Sequence, residues 1–221
     1  MKKELEKRIY SSIIILPLSL FFLIKGSVYF TFFLSILFLA TSYEWINMCK
    51  KKAVEKTLGI IFLSFSFYSA YQLRNIGGIN YFLLIVLICI FTDIGGYIFG
   101  KSFKGPKLTK ISPNKTYAGA LGGFLLAVVA SLIYINYINL ASWFIFPLEF
   151  LKLTKNYETT FLIFVLIISL VSQVGDLIIS YFKRLAKIKD TGKIIPGHGG
   201  ILDRIDGLIF AVPISYLSII L

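Results

Sequence analysis

Seven apolar blocks, each long enough to cross or nearly cross a bilayer, constrain this chain of 221 residues more than any other feature. They lie at residues 9–24, 28–47, 57–73, 80–100, 116–137, 159–180 and 205–221. About 20 helical residues cross a hydrocarbon core of ~30 Å, and a helix satisfies its own backbone polar groups there. Only 15% of the residues are charged, against roughly 25% in soluble domains. The sequence therefore predicts an all-α, polytopic transmembrane helical bundle.

A further apolar stretch, at residues 139–151, is interrupted by Pro147 and Glu149. We interpret it as an interfacial or re-entrant segment because it is rich in aromatic residues, which favour the headgroup level. An eighth span is the alternative. The N-terminal basic and apolar run is similar to a secretion signal but lacks a small-residue cleavage site, so we interpret it as a retained first helix.

The distribution of lysine and arginine predicts the orientation. With the N-terminus inside, the outer side holds only Lys25, Arg74, Lys152 and Lys155 of the 23 basic residues, and an excess of basic residues marks cytoplasmic loops. Such loops, facing an anionic leaflet, explain the formal charge of +12. The sequence contains no basic surface interleaved with aromatic residues of the kind that binds nucleic acid. We expect the inner membrane of a bacterium and no nucleic-acid partner.

No polar linker divides the chain, so we predict one integral membrane domain, residues 1–221. Within it, we expect residues 1–90 to form peripheral, mainly apolar helices. In residues 91–221, by contrast, Gly, Asp and Lys concentrate at the cytoplasmic ends of the segments. We expect the functional site to lie in this second part. Cys49 and Cys89 lack a CxxC spacing and are interpreted as packing residues. Glu44, near the inner end of the second span, is interpreted as a satisfied polar group.

Two carboxylates, Asp93 and Asp176, lie within predicted spans. A charged group there costs a few kcal/mol, so each needs a partner, a cation or a water-filled cavity. Asp176, Ser180, Lys183 and Arg184 follow the spacing i, i+4, i+7 and i+8, which places them on one helix face. That face leads from the membrane interior towards the cytoplasm.

Asp203 and Asp206 are three residues apart and are expected to share a face at the start of the last helix. Together with Asp176 they would repel each other unless a cation lay among them, and a hard divalent ion such as Mg2+ prefers this oxygen environment. A structural salt-bridge cluster with Lys183, Arg184 and Arg204 is the alternative.

The cytoplasmic loops carry two candidate phosphate sites. "PGHGG" (196–200) is a tight loop without Cβ atoms at three positions, and it leads into a helix start, whose amides favour anions. His198 within it is assigned a contact with a phosphate or a carboxylate. "SPNKTYAGALGG" (112–123) is either a second phosphate-facing turn or a helix cap followed by a glycine-lined helix contact. The sequence leaves both open.

The run "SYFKRLAKIKDTGKIIPGHGGILDRID" (180–206) resembles the signature of the CDP-diacylglycerol synthases, also called phosphatidate cytidylyltransferases. "FTDIGGYIFGKSFKG" (91–105), "SPNKTYAGALGG" (112–123) and "SQVGD" (172–176) follow the family's order, so the resemblance covers residues 91–210. Gly207 departs from the pattern, since many members have Ser there.

The resemblance implies a nucleotidyltransferase of phospholipid biosynthesis that converts CTP and phosphatidate to CDP-diacylglycerol and diphosphate. It implies a homodimeric helical bundle with a polar cavity facing the cytoplasm, and Mg2+ at Asp176, Asp203 and Asp206, with two cation positions of which the second could take another ion. The residues expected to act on the phosphates are Lys183, Arg184, Lys189, His198 and Arg204. Those expected to bind substrate are Asp93, Ser112, Asn114, Lys115, Thr116 and Lys193.

Three other classes fit less well. A transporter could also use Asp93 and Asp176, but inverted repeats are not evident. A CDP-alcohol phosphotransferase would need an Asp-x-x-Asp-Gly-x-x-Ala-Arg run, and "LDRIDGLIFAVP" lacks the arginine. A structural scaffold would not keep carboxylates in its spans at this cost.

Overall fold

The computed structural model of the chain describes residues 2–50, 52–109, 111–138 and 157–220. Within these ranges the fold is all-α, as predicted, with no β-strand beyond two isolated bridges. The predicted interfacial stretch at residues 139–151 lies outside the described residues. The helices are α1 (Lys2–Lys25), α2 (Ser27–Met48), α3 (Ala53–Ile76), α4 (Gly78–Phe103), α5 (Tyr117–Ile138), α6 (Tyr157–Leu185), α7 (Leu202–Ile205) and α8 (Leu208–Ile220).

Four of the described helices, α2, α4, α5 and α6, are long and apolar enough to cross a membrane. The apolar parts of α1 and α8 are shorter, at Ile13–Lys25 and Leu208–Ile220. Each predicted span coincides with helical residues, so the membrane-helix class is confirmed. The number of seven or eight spans stays a prediction.

The last predicted span differs from the structure in its first residues. We expected a continuous helix over 205–221, but the chain leaves regular helix at Asp206 and Gly207, between α7 and α8. Gly207 lies against α6, where an added Cβ atom would be 2.3 Å from Ser172 Oγ. Glycine is also a poor helix former, so close packing and low propensity coincide at the break.

The bundle is organised around α4, α6 and α8, which contact one another. Helix α5 packs on α4 and α6, while α3 packs on α2, α4 and α8. A main core fills the bundle, and a second apolar cluster lies where α2, α3, α6, α7 and α8 meet. Cys49 and Cys89 are buried free thiols, which confirms their interpretation as packing residues.

Glycines bring α4 and α5 into close contact. A Cβ atom added at Gly95 would lie 2.3 Å from Gly122 O, and one added at Gly119 would lie 2.7 Å from Gly96 O. Real Cβ atoms do not approach backbone atoms this closely. The predicted glycine-lined helix contact is therefore confirmed, and it fixes where the loop before α5 meets α4 and α6.

Candidate active site

Two ion pairs lie at the end of α6 that carries its basic residues. Lys115 Nζ is 2.5 Å from Asp176 Oδ2, and Lys183 Nζ is 2.8 Å from Asp203 Oδ1. Ser180 donates a hydrogen bond of 3.2 Å to the other oxygen of Asp176. These contacts confirm that Asp176, Ser180 and Lys183 share a helix face. They join the loop before α5, the end of α6 and α7 at one place.

The Asp203 carboxylate is almost enclosed, with 6% of its side chain exposed. Its Oδ2 atom accepts hydrogen bonds from the backbone amides of Thr191 at 2.8 Å and Gly200 at 3.1 Å. Burial alone would raise the pKa of Asp203, but the hydrogen bonds from Lys183 and the Thr191 amide outweigh it, so its pKa lies below the usual value. Asp203 is therefore held in its ionised form.

A second group of carboxylates lies beside the Lys115 ion pair. The carboxyl groups of Asp206, Asp176 and Asp93 on α4 lie near enough to one another for their charges to interact. The Asp206 side chain also accepts a hydrogen bond of 2.9 Å from the Gly207 amide. Three elements thus bring negative charge together, and Lys115 is the ion-paired lysine among them.

The predicted triad of carboxylates does not converge on one point. Asp203 is bound to Lys183 and two amides, whereas Asp206 accepts the Gly207 amide and is close enough to Asp176 to interact by charge. Among the described residues, no three His, Cys, Asp or Glu side chains are grouped so as to hold a metal ion. The salt-bridge alternative describes Lys183 with Asp203 but not Asp206.

The "PGHGG" segment closes on itself as a tight turn. The amide of Ile195 donates to Gly199 O at 2.9 Å, and the amide of His198 donates to Ile195 O at 3.0 Å. Gly197 and Gly199 adopt φ angles of 78° and 88°, a conformation that favours glycine. This turn is part of the segment we call the glycine loop, residues 190–200, which lies within the connection between α6 and α7.

Glu44 of α2 reaches into the glycine loop from the other side. Its Oε1 atom accepts from the Ile201 amide at 3.0 Å, and its Oε2 atom accepts from the Leu202 amide at 2.9 Å and from Thr191 Oγ1 at 2.9 Å. Glu44 is thus a satisfied polar group, as predicted. The helix-start amides that we expected to face a phosphate are bonded to this carboxylate instead.

His198 contacts α1 and the start of α7. Its Nδ1 atom is 2.8 Å from Ser11 Oγ, and Arg204 donates to the His198 carbonyl oxygen at 2.7 Å. Ser11 Oγ also donates to Pro196 O at 3.2 Å. Arg204 therefore braces the turn, and the expected contact of His198 with a phosphate stays a prediction.

The segment before α5 folds back on itself. Thr116 Oγ1 accepts the Gly119 amide at 3.0 Å, the geometry of a helix N-cap, and the Leu108 amide donates to Lys115 O at 2.8 Å. Arg184 of α6 reaches this segment with a contact of 3.5 Å to Ile111 O. The cap interpretation of "SPNKT" is thus confirmed for Thr116, while Lys115 points into the site.

The other predicted substrate residues surround these contacts. Ser112 is partly buried, and its carbonyl oxygen accepts the Lys115 amide at 3.1 Å. Asn114, Lys189 and Lys193 are exposed. The roles predicted for these residues stay predictions.

The sequence analysis predicted neither the contacts of Ser11 nor those of Glu44 with the glycine loop. Both residues lie in the first ninety, which carry no charged motif, and their partners are more than 140 residues away in sequence. A glutamate at the inner end of an apolar span was the one available signal for Glu44, whereas Ser11 gave none.

Comparison with known proteins identifies the family. The model of the cytidylyltransferase family matches residues 57–221. The chain belongs to this family. The cytidylyltransferase match includes every predicted site residue, from Asp93 to Asp206, and confirms the family resemblance. Ser11 and Glu44 precede it.

The names of individual relatives of this cytidylyltransferase family member agree with the family match. A phosphatidate cytidylyltransferase of Rickettsia felis is 33% identical over 231 residues, with 100% of this chain and 94% of the relative covered. Those of Staphylococcus saprophyticus and Brucella suis are 36% and 35% identical over 166 and 162 residues. The matches cover 74% and 72% of this chain, but only 57% and 54% of those two proteins.

Proposed function

We propose that the chain is a phosphatidate cytidylyltransferase, which joins CTP and phosphatidate to give CDP-diacylglycerol and diphosphate. The observation that carries the proposal is the meeting of the Lys115–Asp176 and Lys183–Asp203 ion pairs at the end of a membrane-crossing helix. Basic groups there can neutralise phosphates of a soluble nucleotide and of a lipid together. Family membership and the names of the relatives support the same reaction.

In this reaction an oxygen of the lipid phosphate attacks the α-phosphorus of CTP. The new P–O bond forms as the bond from the α-phosphorus to the bridging oxygen of the β-phosphate breaks, and diphosphate leaves with that electron pair. A phosphate monoester has a second pKa of about 6, so the nucleophile is already anionic near neutral pH. The protein must chiefly position the phosphates and neutralise their charge.

The basic residues of the site suit that task. Lys183 and Lys115 lie in the ion pairs, and Arg184 and Arg204 contact the adjoining loops. Lys193 is exposed on the glycine loop, and Lys189 is exposed directly before it. We assign neutralisation of the transferring phosphates to Lys183, Arg184, Lys189 and Arg204. We assign nucleotide or lipid-phosphate binding to Ser112, Asn114, Lys115, Thr116 and Lys193, with Asp93 on the lipid side.

The carboxylates suit Mg2+ in chemical type. The carboxyl groups of Asp176 and Asp206 are near enough to interact by charge, and Mg2+ is commonly held by one or two carboxylates together with substrate phosphates. We propose that Asp176 and Asp206 hold this ion and that Asp203 is the third ligand candidate. When bound, the ion would neutralise the phosphate oxygens. A second cation position stays a prediction.

The orientation follows from the proposed substrates. CTP is a cytoplasmic nucleotide, so we place the glycine loop and the N-terminus on the cytoplasmic face of a bacterial inner membrane. The excess of lysine and arginine in the loops on that side supports this placement. The cytoplasm-facing cavity, the homodimer and the absence of a nucleic-acid partner stay predictions.

The test is transfer of label from CTP to lipid by the purified, full-length protein. With α-phosphorus-labelled CTP, phosphatidate and Mg2+, label should enter the chloroform phase; with γ-labelled CTP it should remain in the aqueous phase as diphosphate. EDTA or omission of phosphatidate should abolish transfer. A folded preparation that transfers no label from CTP with Mg2+ present would refute phosphatidate as the acceptor, and other lipid phosphates would be tried next.

A further inference from the structure

Glu44 has the most enclosed acidic side chain among those that the structure describes, with 1% of its surface exposed. Two glycines of the glycine loop make room for its carboxylate. A Cβ atom added at Gly192 would lie 2.4 Å from Glu44 Oε1, and one added at Gly200 would lie 2.5 Å from Glu44 Oε2. The loop is therefore wrapped around this carboxylate so closely that neither position has room for a side chain.

Thr191 connects Glu44 to the ion pair of the site. Its hydroxyl donates to Glu44 Oε2 at 2.9 Å, and its amide donates to Asp203 Oδ2 at 2.8 Å. Asp203 in turn binds Lys183 at 2.8 Å. Thr191 is thus bound by two carboxylates, Glu44 at its hydroxyl and Asp203 at its amide. A shift of Thr191 away from Glu44 would therefore move the amide that helps to place Asp203.

We propose that Glu44 is a positioning residue for cytidylyl transfer: it holds the glycine loop so that Asp203 and Lys183 keep their relative geometry. This inference rests on the proposed function. Glu44 reaches neither substrate nor reacting atoms in this account, because its oxygens are bonded to Thr191, Ile201 and Leu202. Its effect on the reaction passes through the loop.

The chemistry of the three donors requires a carboxylate. Two of them are backbone amides, which can only donate, and each faces a different oxygen of Glu44. Glutamine has one acceptor oxygen and one NH2 group. Whichever way the amide is turned, its NH2 group would face an N–H, so Glu44→Gln keeps the size of the side chain but sets donor against donor at one contact.

The test compares variants on the two sides of this contact. Glu44→Gln disturbs the carboxylate, Thr191→Val removes the hydroxyl alone, and Thr191→Ser keeps it. Thr41→Val is the matched control: Thr41 is also fully buried on α2, but its hydroxyl donates to carbonyl oxygens of its own helix. All are assayed as monodisperse, full-length protein with unfolding midpoints above the assay temperature.

We expect Glu44→Gln and Thr191→Val to lower kcat by about 10- to 100-fold, as misplacement of a catalytic group by ~1 Å can, with little change in the KM for CTP. Thr191→Ser and Thr41→Val should stay close to wild type. The double variant Glu44→Gln/Thr191→Val should lose less than the product of the two single losses, because both changes loosen the same contact between α2 and the glycine loop.

Hydrogen–deuterium exchange supplies a readout that does not depend on activity. Amide exchange in residues 190–203 should accelerate in Glu44→Gln and not in Thr41→Val. Faster exchange with wild-type kcat would overturn the inference, since the contact would then be structural only. Equal loss of kcat in Thr191→Ser and Thr191→Val, or in Thr41→Val, would also overturn it. If wild-type protein transfers no cytidylyl group to phosphatidate, the proposed function fails, while exchange still reports whether Glu44 holds the loop.

Discussion

Alanine at Gly95 should force α4 and α5 apart. The added Cβ atom would lie 2.3 Å from Gly122 O and 2.8 Å from Gly123 Cα, whereas carbon atoms pack best at about 3.5–4.0 Å. The helices would have to separate by about 1 Å, because both contacts are with backbone. Overpacking of this kind costs about 1–3 kcal/mol, and for a chain of this size each kcal/mol lowers Tm by about 2–4 °C.

Gly96 provides the matched control at the next position of the same helix. Its added Cβ atom would meet only Gly119 O, at 3.8 Å, an ordinary contact. Alanine is favoured over glycine by about 0.5–1 kcal/mol in a helix interior, so Gly96→Ala should leave Tm unchanged or raise it. Thermal unfolding in detergent, followed by circular dichroism or scanning fluorimetry, measures both variants. Equal Tm values for Gly95→Ala and Gly96→Ala would refute the close α4–α5 packing.

Three further predictions concern the site and its orientation. Asp203→Asn should leave the protein folded in detergent and lower Mg2+-dependent turnover by more than about 100-fold, the scale of losing one charge-stabilising group; near wild-type turnover would rule out its metal role. Lys115→Met should leave the charge of Asp176 unpaired and lower kcat/KM for CTP by roughly tenfold, or about 1.4 kcal/mol, in a steady-state assay; an unchanged value would remove Lys115 from the site. Cysteines introduced at the exposed positions Ile76 and Lys193 should react differently with a membrane-impermeant maleimide on intact cells, with the first labelled at once and the second only after permeabilisation; the reverse order would invert the topology, and the two native cysteines, both buried, should add little background.

Local sequence spacing predicted the parts of the site that a single helix determines. Asp176, Ser180 and Lys183 lie on one face because they belong to the uninterrupted helix α6. The same reasoning was incomplete for Asp203 and Asp206, because the backbone leaves regular helix after Ile205 and the two side chains have different partners. Sequence spacing predicts that residues share a helix face only where the helix is continuous.

Contacts between distant segments were beyond this reasoning. Thr191 and Glu44 are 147 residues apart, and Ser11 and His198 are 187 residues apart. A buried glutamate indicates that donors are needed, but not which ones. The apolar pattern of residues 1–90 predicted helices correctly, yet it gave no sign that two of these helices hold the glycine loop.

Helix α2 makes contacts beside both partners of the Lys183–Asp203 ion pair. Trp45 packs edge-on against Phe182, with ring centroids 4.8 Å apart, and Phe182 directly precedes Lys183. Glu44, the residue before Trp45, holds the glycine loop through Thr191, whose amide binds Asp203. Loss of the Glu44 contact would therefore act on the Asp203 side, because Lys183 belongs to α6, which packs on α4, α5 and α8. The two partners of the ion pair are thus placed by different elements, Lys183 by the packing of α6 and Asp203 by a loop that depends on one side chain of α2.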